Sequence, residues 1–427
     1  MCECVTLARL LRKLLLSVGD NPPIQTAIDA GAVQLLMPCL RGPTVACQFD
    51  ACWASSILAS GTSAQRQVVM SAGFVPALVP LLDSPSEKVR DRAAWAVGQF
   101  CRCSPRRRRR DQDFVDEGDP LLPPLIRCAA SAESPNIVRH AMRALSRVLR
   151  LNPRADVDTV VVPALPLVAV RLHHGDTEVV TDACWALFYL SDAPAYSDKR
   201  LQAVLNIEGL VSRVVELTAV HDATWHAPAL KVIGNLVLGS DAQTQVVLDA
   251  GALRLFPSLL TLPSRFTVKE VLRTLSNIAT GPTSHIQSIF DANLLSRIVE
   301  LSLPGQPMTI RENALWTAKQ MARKGTRLQQ LALIDAGVLS ALCSGLSVIA
   351  PEGQSELEYL MQLLSETLEK RSESNGEVPS DGVAHPPPDI STFLDPAAAS
   401  AVQSAQRSGA VKLSGLAMEM LLRLVVC

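Results

Sequence analysis

The 427 residues carry 40 Lys and Arg against 41 Asp and Glu, a net charge of −1, so the whole-molecule field selects neither nucleic acid nor membrane. Hydrophobic residues make up 48% and aromatics only 4%, a profile of many short helices packed through Leu, Val and Ala rather than of sheet. Eleven cysteines, odd in number and scattered, exclude a secreted disulfide framework and a zinc ribbon and predict reduced thiols, two of them (Cys52, Cys184) inside apolar runs.

The chain opens with MCECVTLARLLRKLLLSVGD, apolar but too short to span a bilayer and cut by Arg9, Arg12 and Lys13 at helical spacing, which predicts a packing helix. The C-x-C pairs Cys2/Cys4 and Cys101/Cys103 have no matching second pair, so no metal site is expected. The longest apolar run, 160–170, contains Pro163 and Pro166 and reaches about half the length of a membrane crossing.

From residue 29 onward two motifs recur. One is a turn before an apolar helix: DAGAV at 29–33, SAGFV at 71–75, DEGDP at 116–120, IEGLV at 207–211, DAGAL at 249–253, DANLL at 291–295 and DAGVL at 335–339. Gly31 to Gly73 and Gly209 to Gly251 are steps of 42, and Asn293 lies 42 beyond Gly251. Gly and then Asn tolerate positive φ, so the turn itself is predicted to repeat. The other is a longer helix ending in a polar or Gly turn, as in DACWASSILASG at 50–61, DRAAWAVGQF at 91–100, DACWALFYLSD at 182–192, ALKVIGNLVLGS at 229–240, VLRTLSNIATG at 271–281 and NALWTAKQMA at 313–322. A fixed period near 42 predicts an all-α stack of helical repeats of the HEAT or armadillo type, each unit too apolar to stand alone. About eight to nine repeats are expected over 1–370, a Pro- and Ser-rich insertion at 371–397, and a terminal helical unit at 398–427.

Ser84-Pro85-Ser86-Glu87 has a capping-box pattern and predicts a helix start. On that helix Val89, Ala93, Ala96, Val97 and Phe100 form one apolar stripe, while Trp95 and Gln99 fall on another side. One Trp per repeat off the core face, with a polar residue a turn later, makes a ladder that an extended peptide could lie along. The alternative is that these rings pack between adjacent repeats. There is no Gly-rich phosphate loop, nucleophile elbow or His/Glu metal spacing, and His173-His174 face different ways on a helix, so neither catalysis nor a cofactor is indicated.

The phrases FDACWASSILASG, VTDACWALFYLSD, PALKVIGNLVLGSDAQTQVVLDAGAL and SHIQSIFDANLLSRIVEL resemble importin alpha, in register over about residues 5 to 370. The resemblance implies a right-handed superhelical solenoid of armadillo repeats in cytoplasm and nucleus, a nuclear import adaptor that binds nuclear-localisation-signal peptides in its groove. In that family W-x-x-x-N on the third helix of each repeat holds the peptide: the Asn amides take its backbone, Trp pairs make slots for Lys stems, and nearby acids take the ammonium. Carried over, the expected peptide-binding residues are Trp53, Trp95, Gln99, Trp185, Tyr189, Asn235, Glu270, Asn277, Trp316 and Gln320.

The pattern departs from the family at several positions. Ile57 and Gln99 stand where Asn is expected, as does Gln320; Arg143 and Arg273 replace Trp, with Arg147 beside the former; Asn313 stands where an acid would be. A second like charge a few ångströms from a bound Lys costs roughly 1 to 4 kcal/mol, so weakened or altered specificity is expected. The alternative is a non-transport armadillo scaffold. The family's basic N-terminal segment that recruits importin beta is not seen ahead of the first repeat. CRCSPRRRRRDQD at 101–113 instead carries five consecutive Arg, readable as a solvated loop, an internal mimic of a basic signal, or a contact for an acidic protein or nucleic acid.

Overall fold

The computed structural model describes residues 2–17, 22–102, 120–131, 134–152, 155–192, 198–338 and 341, and every regular element among them is helical. The Arg106–Arg110 run, residues 116–119 of the DEGDP turn and the segments expected at 371–397 and 398–427 lie outside the described residues. The chain forms two compact units, Met1–Asn235 and Leu236–Cys427.

In the first unit the N-terminal helix is Cys2–Ser17, followed by three-helix repeats. Ile24–Asp29, Ala32–Leu40 and Val45–Ala59 make one; Ser63–Ser71, Phe74–Leu78 and Glu87–Phe100 make the next. The following repeats end in the long helices Pro135–Leu151, Thr177–Ser191 and His226–Leu236. Cys2–Ser17 and the long helices Val45–Ala59, Glu87–Phe100, Pro135–Leu151 and Thr177–Ser191 pack each against the next, forming one continuous layer. In the second unit Asp241–Asp249, Ala252–Leu259 and Arg265–Ile278 make a repeat, and Thr283–Asp291, Leu295–Ser302 and Met308–Lys324 another, its long helix packed on Arg265–Ile278.

The recurrent turn has the predicted backbone. Gly31, Gly73, Gly209, Gly251 and Gly337 have φ of 86, 85, 71, 84 and 91°, and Asn293, the only non-Gly residue of positive φ among those described, has φ 56°. A left-handed residue here lets the chain reverse between the first and second helices without a Cβ clash. Helix starts are fixed by capping boxes the sequence reading did not single out: Thr62 with Gln65, Ser240 with Gln243, and Thr326 with Gln329. The box expected at 84–87 does not form. Helix Glu87–Phe100 begins at Ser86, whose side chain caps nothing, while buried Ser84 accepts a bond from the Ser86 N–H.

The stripe on that helix is the core. Val89, Ala93, Ala96 and Val97 are fully buried and Phe100 nearly so, its ring 6.4 Å from Phe74 of the same repeat. Burial pushes the Cys184 thiol up to about 12 and the Cys128 thiol to about 11, so both behave as small hydrophobic side chains. No helix among the described residues is long and apolar enough to cross a membrane.

Candidate functional site

The long helices of the first unit bury one stripe and turn a second, partly open stripe outward from the core, and the sequence-predicted aromatic residues sit on it. Trp53, Trp95, Trp185 and Tyr189 are all half-buried. None is lost in the hydrophobic interior. Trp53 and Trp95, on successive helices, are bridged by one side chain: the Arg92 guanidinium lies 4.2 Å from the Trp53 ring centre and 4.9 Å from that of Trp95. Arg12 of the N-terminal helix contacts Trp53 as well, at 4.6 Å, and the His140 ring stacks on Trp95 at 5.8 Å and 16°. Farther along, Trp185 stacks on Tyr189 at 5.9 Å, and the Lys231 ammonium lies 5.1 Å from the Phe188 ring. At these separations a cation is held by the ring quadrupole.

The amides are used differently from the expectation. Ile57 is buried, so the Trp53 helix offers no amide one turn on. Gln99 accepts from Arg102 at 3.4 Å. Asn235 is 6% exposed and its amide donates inward, to the Phe188 carbonyl at 3.3 Å and the Ser191 hydroxyl at 3.2 Å of the preceding repeat. It ties two repeats together. A peptide backbone would have to compete for those hydrogens.

Most charges on this stripe pair across repeats. Asp50, almost wholly buried, lies 2.8 Å from Arg12 and 3.3 Å from Arg9. Asp91 bonds His140 at 2.7 Å and meets Arg92 at 3.4 Å. Arg143 bridges Glu178 at 3.0 Å and Asp182 at 3.4 Å. Burial raises the Asp182 carboxyl above its usual range, opposed first by Arg143. Arg147 donates to the Gly98 carbonyl at 2.6 Å, and burial, then the neighbouring Arg143, hold its guanidinium below its usual range.

In the second unit Glu270 is 8% exposed and gripped by Arg273 at 2.9 Å, the residue standing where a Trp was expected. Asn277 is half-buried, and its amide nitrogen finds no partner among the described residues. Trp316 is 50% exposed, with the Lys319 ammonium 3.8 Å from its ring, while Gln320 is buried at 7%. The sequence reading missed Lys319 and Arg92. It also missed Trp225, whose indole N–H is buried without a partner among the described residues, one residue before the His226–Leu236 helix and off the repeat register. Among the described residues no cluster of His, Cys, Asp and Glu could hold a metal.

An armadillo/beta-catenin-like repeat model matches residues 20–54 and 62–102. The chain is 37% identical to importin subunit alpha-1a of Oryza sativa subsp. japonica over 287 residues, 67% of this chain and 53% of that protein. It is 35% identical to importin subunit alpha-3 of Arabidopsis thaliana over 254 residues, 59% of this chain and 45% of that one. The chain thus spans about half the length of the curated relatives it matches. Among solved structures, an engineered protein aligns over 99% of this chain and 94% of its own with a TM-score of 0.74 at 21% identity. A computationally designed armadillo repeat protein for modular peptide recognition aligns over 58% of this chain and 99% of its own, with a TM-score of 0.50 at 24% identity. At these identities the structural likeness bears on the fold alone.

Proposed function

We propose that this chain, an importin-alpha-like armadillo-repeat protein, is a peptide-binding adaptor rather than an enzyme, and that it holds an extended segment of a cargo protein along the aromatic stripe of its long helices. The observation that carries this is the pair Trp53 and Trp95 on successive helices, half-buried and joined through one guanidinium, which keeps the two rings apart as walls of a slot. Within that reading the cargo segment is a nuclear-localisation signal and the chain works as a nuclear import adaptor between cytoplasm and nucleus, with importin beta as the expected carrier.

Its specificity is weakened or altered, because the groups that would receive a ligand lysine are engaged. Arg92 fills the Trp53–Trp95 slot, and Arg273 holds Glu270. The same occupancy favours, as second reading, a non-transport scaffold that kept the fold and changed the ligand. Calorimetric titration with a Lys-rich signal peptide, repeated with Trp95→Ala, separates them. Binding lost in the variant supports the import reading; no binding to either protein supports the scaffold.

A further inference from the structure

This inference rests on the reading of the aromatic stripe as a peptide track, takes the second reading in which the ligand has changed, and concerns the ligand class of its first-unit part. There the carboxylates Asp50, Asp91, Glu178 and Asp182 are all paired with the chain's own cations, so a ligand ammonium would have to compete for each of them. The cations exceed them. Arg92 has one carboxylate approach, 3.4 Å to Asp91, with its Nε–H not directed at it. Arg147 and exposed Arg102 bond a carbonyl and a glutamine amide oxygen instead of acids. A guanidinium has five N–H donors, so these three side chains carry more donors than the described residues satisfy. Beside them the Trp53 Nε1–H is buried without an acceptor among the described residues, while the Nε atoms of Arg12 and Arg92 lie 2.8 and 3.4 Å from Asp50 and Asp91 without a directed bond. Donors left over on one stripe call for a ligand that brings oxygens.

We infer that the stripe from Arg12 through Trp53, Arg92 and Trp95 to Arg147 reads an acidic extended peptide, its Asp and Glu side chains pairing with the arginines. The whole chain is near neutral, so the preference is local to this stripe. A nucleic acid fits worse. Trp53 and Trp95 already carry Arg12, Arg92 and His140 on their rings, which leaves no open face for base stacking. An unbroken phosphate backbone would also meet Asp50, Asp91, Glu178 and Asp182 between the cations, whereas a peptide can place its carboxylates at chosen residues.

The test is fluorescence anisotropy on the full chain with three labelled probes of equal length: an Asp/Glu-rich peptide, a Lys/Arg-rich peptide and a single-stranded DNA. The expected result is acidic-peptide binding at least about tenfold tighter than either other probe, falling steeply with salt. Arg92→Gln and Arg102→Gln should each weaken it by about three- to tenfold, and Arg147→Lys should retain most of it. Arg102 is exposed, so its variant stays informative if a more buried substitution fails to fold, and melting curves of all variants check this. Tighter binding of the Lys/Arg-rich peptide overturns the inference and leaves the peptide-track reading standing. Tighter binding of DNA overturns the inference. Binding of neither peptide overturns both.

Discussion

Replacing Arg92 by Ala tests the slot in two directions. Its guanidinium lies 4.2 and 4.9 Å from two indoles with its side chain 23% exposed. Each partly desolvated cation–π contact contributes about 0.5–1 kcal/mol, so roughly 1–2 kcal/mol of stabilisation is lost. The 3.4 Å pair with Asp91 adds little, since the Arg92 Nε–H is not directed at the carboxylate. A stacked array opens locally, so hydrogen exchange of the amides in Glu87–Phe100 reads this loss more directly than a global midpoint. A cycle with Trp53→Leu should return a coupling of about 0.5–1 kcal/mol. In the opposite direction, removing a charge from the slot lowers repulsion toward an incoming lysine by at least about 1 kcal/mol, a gain of about fivefold in affinity for a Lys-rich peptide. Coupling below about 0.3 kcal/mol together with unchanged affinity would refute the account of the slot.

Three further outcomes follow from particular residues. Gly251→Ala should lose about 1–2 kcal/mol in urea denaturation, because at φ 84° the cost is conformational; the added Cβ would meet only Arg254 at 3.7 Å. Asn235→Ala, which strips two inter-repeat bonds from a buried amide, should cost about 1–3 kcal/mol and raise exchange at the Thr177–Ser191 helix end; unaffected exchange there would contradict the tie. His226 and His285 have pKa values lowered chiefly by burial, so the unfolded chain binds protons first. Stability is then fully present above about pH 6.5 and declines as pH falls through that value, and His226→Gln should flatten the decline in a pH series of denaturation curves.

Much of the fold was legible in the sequence, because the repeat is written in local chemistry. Gly31, Gly73, Gly209, Gly251 and Asn293 marked the left-handed turns, and the spacing of Val89, Ala93, Val97 and Phe100 marked the buried stripe. Local patterns also misled where two solutions compete. Ser84 and Ser86 both precede an acidic helix start, and Ser84 turned inward while the helix began at Ser86 without a box. The engagement of the site lay beyond local reading. Asn235 bonds residues 47 and 44 positions earlier, and Arg92 meets a ring on the preceding repeat. Such partners are set by how helices stack, which no window along the chain contains. The excess of Arg at 143 and 147 was visible; that Arg143 pairs with Glu178 and Asp182 while Arg147 turns to the Gly98 carbonyl was not.

The central claim is that a peptide lies on the stripe of the long helices. Photo-crosslinking with a benzophenone-bearing extended peptide of whichever charge binds, followed by peptide mapping, tests it most directly. The account predicts saturable adducts on Val45–Ala59, Glu87–Phe100 and Pro135–Leu151, around Trp53, Trp95 and Arg147. Adducts concentrated instead at the open cleft lined by Leu40, Pro76, Pro80 and Pro85 would contradict it.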